Sequence, residues 1–393
     1  MISKILDYLN IRQAGGIELF FSTLLIFSAY SFNGIPLQVV LWCLLFVLLL
    51  AKKKCKRNVF RPLVILTVYI LIHDFIYLFI ANGNVNAFIM QIIYFGCMMM
   101  AINVFDINRL KGSLNVIAII SMIGLLYQWG IIASGDGVHP IQIPFLDMGK
   151  SRLETFSIRP SSFFMEPAAY VEFMYIPLIF SLIDRKFFWT AIIIVSEFLT
   201  TSTTGLLTSF IMLIAYIFTQ KVSLKIRFFT LLLGGAMFFS LTHFEAFKGS
   251  TEKLDNTDVE TNMRLSQGPY VVSTMTLDEM VCGVSFSSAY QYCSAGRAPY
   301  VVFYDEEVFM STTWKLILIY GFIGLYLYLL FYYKLARGNR ETIPLVVCLV
   351  AVMFSSGYGI GLSFVYSGIP LLLLYYKKKL INRNKDICKI IKK

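Results

Sequence analysis

The chain has 393 residues, of which 58% are hydrophobic and 15% charged, with a mean hydropathy of +0.71. Soluble domains run at about 45–50% apolar and about 25% charged, so an ordinary water-soluble globular protein is excluded. The 16% aromatic content excludes a disordered chain. The net charge of +11 sits in short clusters between apolar runs, which makes it a topology signal and not a nucleic-acid footprint.

Taken in chain order, twelve apolar runs bounded by charge or turn residues are candidate membrane spans. They fall near 16–32, 36–51, 62–81, 87–105, 114–133, 167–183, 187–201, 203–219, 228–243, 311–333, 341–358 and 360–376. At about 20 residues per span, twelve helices fit the apolar content. Runs of 15 to 17 residues are short for a full crossing, so some of them are expected to be tilted, broken or re-entrant. The first sixteen residues mix polar and apolar side chains, with no small-residue cleavage site, so no cleavable leader is expected.

Alternate loops carry the basic residues. One set holds Lys52–Lys54, Lys56 and Arg57, then Arg109 and Lys111, Arg185 and Lys186, Lys221, Lys225 and Arg227, then Lys334, Arg337, Arg340 and the tail from Lys377. The positive-inside rule makes these loops cytoplasmic and places both termini inside. Two long loops then face outward, 134–166 and 244–310, within a single integral membrane domain over 1–393. Long ordered loops are usually functional. No internal repeat is visible.

Cys282 and Cys293 both lie in the second loop, and an outward position leaves a disulfide or two free thiols open. Cys43, Cys97 and Cys348 fall in spans as packing thiols, and Cys55 and Cys388 on the cytoplasmic side. There is no phosphate-binding loop, no HExxH and no CxxC pair. Gly357, Gly359 and Gly361 match only part of a dinucleotide fingerprint and fit close helix packing better. With three histidines in all, no metal site is expected, and no cofactor.

The segment from Arg159 to Tyr170 carries the most chemistry. Pro167 suits the first turn of a helix. Glu166 then sits at the positive helix end, either as a capping carboxylate paired with Arg159 or as part of a charged pair at the mouth of an outward cavity. Tyr170 lies one turn on, on the same face. The second loop adds Arg264 and Arg297, whose forks suit a diphosphate, with Tyr290 and Tyr292 among tyrosines that could pack on sugar rings. Each also has a plainer reading as loop packing or a surface ion pair. Lys150 and Arg152 are weaker candidates. Inside spans lie His73, Asp74, Glu172 and Glu197, costly at about 2.5–3.5 kcal/mol for a charge at a helix centre. Each is a functional candidate or an interhelical hydrogen-bond partner. Thr200–Gly205 makes a polar turn between two spans.

In order and spacing, these features resemble the O-antigen polymerase (Wzy-type) and O-antigen ligase superfamily. Four places carry the resemblance: Arg159-Pro-Ser-Ser-Phe-Phe-Met-Glu166-Pro167; Thr200 to Gly205; Cys282-Gly-Val-Ser-Phe286; and Trp314 to Leu325 with Tyr320-Gly-Phe-Ile-Gly324. Ligases of the superfamily tend to carry His-Asn where this chain has Met310-Ser311, which favours the polymerase. The resemblance implies an all-α polytopic protein of GT-C-like architecture in the bacterial inner membrane. Its reaction would be metal-independent glycosyl transfer between undecaprenyl-diphosphate-linked oligosaccharides, with a chain-length regulator as partner. In that reading Arg159 and Arg264, with Arg297, stabilise the leaving diphosphate. Glu166 is the candidate base, His139 the runner-up, and Tyr170, Tyr290 and Tyr292 contact substrate. A ligase-like transferase and a lipid-linked sugar flippase are the alternatives.

Overall fold

The computed structural model describes residues 2–28, 30–52, 58–80, 83–136, 138, 141–148, 159–220, 223–243, 263–286, 288–294, 303–304, 307–308, 310–355 and 361–391. The described chain is mostly helical. It begins with a short helix, α1 (Ile2–Tyr8), and α2 (Gly16–Phe27), followed by α3 (Leu37–Ala51), α4 (Arg61–Ile80), α5 (Val85–Val104) and α6 (Ile107–Ala133). Then come α7 (Pro167–Ile183), α8 (Phe187–Leu199), α9 (Thr203–Thr219) and α10 (Leu224–His243). Three short helices follow in the second long loop: α11 (Met263–Thr274), α12 (Leu277–Cys282) and α13 (Ala289–Tyr292). The chain returns to long helices in α14 (Thr312–Gly338), α15 (Ile343–Ser355) and α16 (Leu362–Ile391).

Each apolar run anticipated from the sequence overlaps a helix, although the end of the first, 30–32, is strand and 356–360 lie outside the described residues. Among the described residues four helices, α4, α5, α6 and α14, are long and apolar enough to cross a membrane, and several shorter apolar helices pack with them. Helix α6 shows why. It buries Leu125 and Gln128 on one face while Ile123 and Leu126 stand exposed on another, so both faces are apolar but only one meets protein. Apolar side chains on the outer face of a bundle are what a lipid-embedded protein presents.

Local sequence sets the helix starts. Asn84 accepts hydrogen bonds from the Asn86 and Ala87 amides at the head of α5, and Asp106 does the same for Asn108 and Arg109 at the head of α6. Ser202 caps α9 through the Gly205 amide. Pro167 occupies the first turn of α7, as expected.

Several of the loops expected to share a side meet at one end of the bundle among the described residues. Lys111 pairs with Asp184 at 2.5 Å, Gln220 donates to the Arg340 carbonyl at 2.6 Å, and Asn339 donates to the Leu374 carbonyl at 3.0 Å. Asn115 reaches the Leu9 carbonyl at 2.7 Å, which ties the N-terminal segment to this end, here termed the basic face. Arg159, the 199–205 turn and α12 gather towards the other end, termed the loop face.

Two features depart from an all-helical reading. A three-stranded sheet stands on the loop face: β1 (Tyr30–Phe32) pairs antiparallel with β2 (Ile35–Pro36) and with β3 (Asp147–Met148) from the first long loop. Asn33 and Gly34, with φ of 49° and 78°, form the two-residue turn between β1 and β2, where an Asn-Gly pair tolerates the left-handed region. A second pair, β4 (Phe303–Tyr304) with β5 (Glu307–Val308), lies in the second loop.

The other departure is the expected span 311–333. It falls on α14, and α14 is broken at Gly321, whose φ of 64° and ψ of −171° end one helical stretch and begin another. Thr312 and Tyr332 line one cavity. A straight helix would hold those two residues about 30 Å apart, so the break folds the two halves of α14 towards each other. A Cβ on Gly321 would run into the Val281 carbonyl and the Cys282 amide. Gly321→Ala is therefore expected to cost more than about 1–2 kcal/mol, read as a lower apparent Tm in detergent. Gly130→Ala, where an added Cβ meets nothing within 4 Å, should stay within about 0.5 kcal/mol of wild type.

Candidate functional site

Two clamped segments on the loop face carry the candidate residues. The first is the turn 159–166. Gln128 of α6, fully buried, accepts from the Ser161 and Ser162 amides at 2.9 and 2.7 Å through one carbonyl oxygen. Ser162 holds a left-handed φ of 58°, and the Ser161 hydroxyl closes the turn on the Phe164 carbonyl at 2.9 Å. Phe164 is buried with its ring against Tyr170 and Phe173, both centroids at 5.6 Å. The Ser161 hydroxyl and the amides of Ser161 and Ser162 thus hold the turn, whose two ends, Arg159 and Glu166, are only partly buried.

Neither end behaves as a simple cap. Glu166 is the N-cap residue of α7 by position, yet its side chain makes no capping hydrogen bond; its backbone carbonyl accepts from Ala169 and Tyr170 instead. Among the described residues no carboxylate lies within 4.0 Å of the Arg159 guanidinium, so the expected Arg159–Glu166 ion pair is not formed. Burial pulls the Arg159 pKa below its ordinary value. A partly desolvated cation with no carboxylate within 4.0 Å among the described residues gains from an incoming anion.

The Ser/Thr turn stands beside this segment. Thr201 takes a φ of 53° between α8 and α9, and the Thr200 hydroxyl donates to the Glu197 carbonyl at 2.7 Å. Gly205 lies so close to Val171 that a Cβ there would overlap the valine side chain. One turn further along α9, the Tyr175 and Thr208 hydroxyls are 2.5 Å apart. Glu197 is buried in the same layer and accepts from the Ser209 hydroxyl. Trp129 of α6 donates to the Leu199 carbonyl at 2.9 Å. Two of the four segments that carry the family resemblance are therefore neighbours.

The other two also meet. Segment 283–285 enters the break in α14: the Val284 and Ser285 amides donate to the Leu318 and Ile319 carbonyls at 2.8 and 2.9 Å. Helix α4 locks this junction. Tyr69 donates to the Tyr320 carbonyl at 2.8 Å and Tyr77 to the Gly283 carbonyl at 2.7 Å. Asp74, 1% exposed, accepts from the Ser285 hydroxyl at 2.8 Å and from the Tyr320 hydroxyl at 3.2 Å. His73 lies between the rings of Tyr69 and Tyr77, with its Nδ1 3.6 Å from Asp74. Of the two readings open for Asp74, the interhelical hydrogen bond describes what it does here, whereas both ring nitrogens of His73 are buried without a hydrogen-bond partner among the described residues.

The remaining candidates are placed as follows. Tyr170 is fully buried in the bundle, packed on Phe164. Tyr290 is exposed on α13, and Tyr292 bonds the Thr274 carbonyl at 3.2 Å, joining α13 to α11. Arg264 lies on α11, which the structure describes as backbone at that position. His139, Lys150, Arg152, Arg297, Cys55, Gly357 and Gly359 lie outside the described residues, as does the side chain of Cys388. Cys282 is an exposed free thiol and Cys293 a buried one, so they are not paired with each other. No group of three or more His, Cys, Asp or Glu side chains able to hold a metal occurs among the described residues.

Sequence reading passed over Gln128, Tyr69 and Tyr77. The tyrosines had a signal: Tyr69, His73 and Tyr77 recur every four residues and so share one helix face. Gln128 had none beyond its polarity within an apolar run.

Two outcomes follow. Asp74→Ala removes the acceptor for two buried hydroxyls, and is expected to destabilise by about 2–3 kcal/mol and to speed hydrogen exchange across residues 283–285. In single-cysteine variants, a membrane-impermeant maleimide should label Cys282 on intact cells. Cys293, whose thiol is pushed up to about 11 by burial, should resist labelling until the protein is unfolded. No family model matches the chain, and no curated protein is similar to it above the threshold of significance.

Proposed function

We propose that the protein is an inner-membrane glycosyltransferase of the O-antigen polymerase type, with about twelve spans in a GT-C-like arrangement, both termini cytoplasmic and the loop face periplasmic. It joins lipid-linked repeat units: a hydroxyl of one undecaprenyl-diphosphate-linked oligosaccharide attacks the anomeric carbon of another, and the lipid diphosphate leaves. The observation that carries this reading is Arg159. It is a partly desolvated cation on a clamped turn, with no carboxylate within ion-pair range among the described residues. A leaving diphosphate develops negative charge, and a preorganised guanidinium placed to meet it lowers the barrier. Glu166, at the other end of the same turn, is the candidate base, and Arg264 and Arg297 of the second loop are further diphosphate ligands.

A flippase reading keeps one observation of its own. A helix broken inside an apolar bundle beside a carboxylate is a recurring device of transporters, and α14 is broken at Gly321 with Glu172 lining the adjacent cavity.

A cell-free assay separates the readings. Purified protein receives synthetic undecaprenyl-diphosphate repeat units, with chelator and no nucleotide, and products are resolved on a gel. A polymerase yields a ladder, and Arg159→Ala should reduce it by about 100-fold or more without changing the apparent Tm. A folded wild type that gives no ladder overturns the polymerase. Transfer of labelled lipid-linked unit between leaflets of a proteoliposome would then establish the flippase.

A further inference from the structure

A second polar site lies inside the bundle, between α7, α14, α15 and α16. It is a cavity of about 40 Å³ lined by Glu172, Tyr328, Tyr332, Tyr366, Ser363 and Ser367 among apolar neighbours. The spacing on each helix is the reason these groups converge: Tyr328 and Tyr332 are four apart on α14, and Ser363 and Ser367 four apart on α16, so each pair shares a face.

Three features set this cavity apart from packing space. Glu172 is the sole carboxylate in its lining. Tyr328 and Tyr366 are 2% and 1% exposed, and neither buried hydroxyl has a hydrogen-bond partner among the described residues. Two orphaned hydroxyls in an apolar bundle are costly, and such groups are satisfied by water, an ion or a ligand. Thr312 adds a further hydroxyl to the lining.

Size and charge choose the ligand. A water needs roughly 10–15 Å³ of such volume, so this cavity holds about three water-sized groups. That is too small for a sugar ring. All polar groups are oxygens, which suit hard cations, and one carboxylate is too little charge for the several-carboxylate cages of calcium.

We propose that this cavity is a monovalent-cation site. The Glu172 carboxylate supplies the charge, and the hydroxyls of Ser363, Tyr328 and Tyr366 complete an oxygen shell for an ion the size of sodium. The proposed ligands come from α7, the C-terminal half of α14 and α16, so a bound ion ties these three helices together. The proposal is independent of the glycosyltransferase reading.

The test uses full-length protein in lipid nanodiscs, with sodium, potassium or choline chloride at constant ionic strength and at two pH values. Radioactive sodium binding and apparent Tm are read for wild type, Glu172→Gln and Tyr366→Phe. Expected are saturable sodium binding and a Tm that rises with sodium. Affinity should fall at least about tenfold in Glu172→Gln and about threefold in Tyr366→Phe. Tm in choline serves as the folding control, and Tyr366→Phe carries the test should Glu172→Gln fail to fold. No saturable binding by folded wild type overturns the proposal, as does binding undiminished in both variants. A Tm that responds to pH but to no metal cation also overturns it, since a protonated Glu172 would then fill the role.

Discussion

Backbone amides and carbonyls inside an apolar bundle have no water to turn to, so each must find a partner within the protein. The break in α14 at Gly321 exposes carbonyls that a continuous helix would have satisfied. Segment 283–285 supplies the missing donors through the Val284 and Ser285 amides. This arrangement works only because Gly283 and Gly321 both hold positive φ and carry no Cβ, so the two backbones can touch. The position of the second loop and the shape of the cavity both depend on it.

The same economy governs the 159–166 turn. Two adjacent amides share one buried carbonyl oxygen of Gln128, and an aromatic, Phe164, anchors the turn in the core. The turn's adjacent amides at 161 and 162 are thus met from α6. Rigid support under a charged group is what electrostatic catalysis requires, because no reorganisation is then needed during the reaction. The interhelical network around Asp74 does the equivalent for the second loop. There the ionisable group is spent on structure, whereas at Arg159 it is held in reserve.

Glu172, Glu197 and Asp74 look alike in the sequence, each an acid in an apolar run. Their surroundings separate them. Asp74 accepts two hydroxyls, Glu197 bonds Ser209 at the α8–α9 layer, and Glu172 lines a cavity beside unpartnered tyrosine hydroxyls. Neither residue type nor depth along a span distinguishes these three roles.

The sequence by itself determined the helical, apolar character of the chain, the place of every apolar helix and the alternation of basic loops. Those properties follow from composition and local periodicity, which need no knowledge of neighbours. Pro167 at the first turn of α7 and the polar turn at 200–205 were legible for the same reason. Tertiary structure alone decided that α14 breaks, because Gly321 in an apolar run reads equally as close packing until a partner backbone is seen beside it. It also decided that the first loop is stitched to the α2–α3 connection by a small sheet, although Asn33-Gly34 was a hairpin signal in plain view. Which carboxylate is structural and which lines a cavity was settled by contacts between residues far apart in the chain, such as Asp74 with Ser285 and Tyr320. Hydrogen bonds between distant segments leave no periodic trace in a sequence, and that is why the candidate site could be named residue by residue but not assembled.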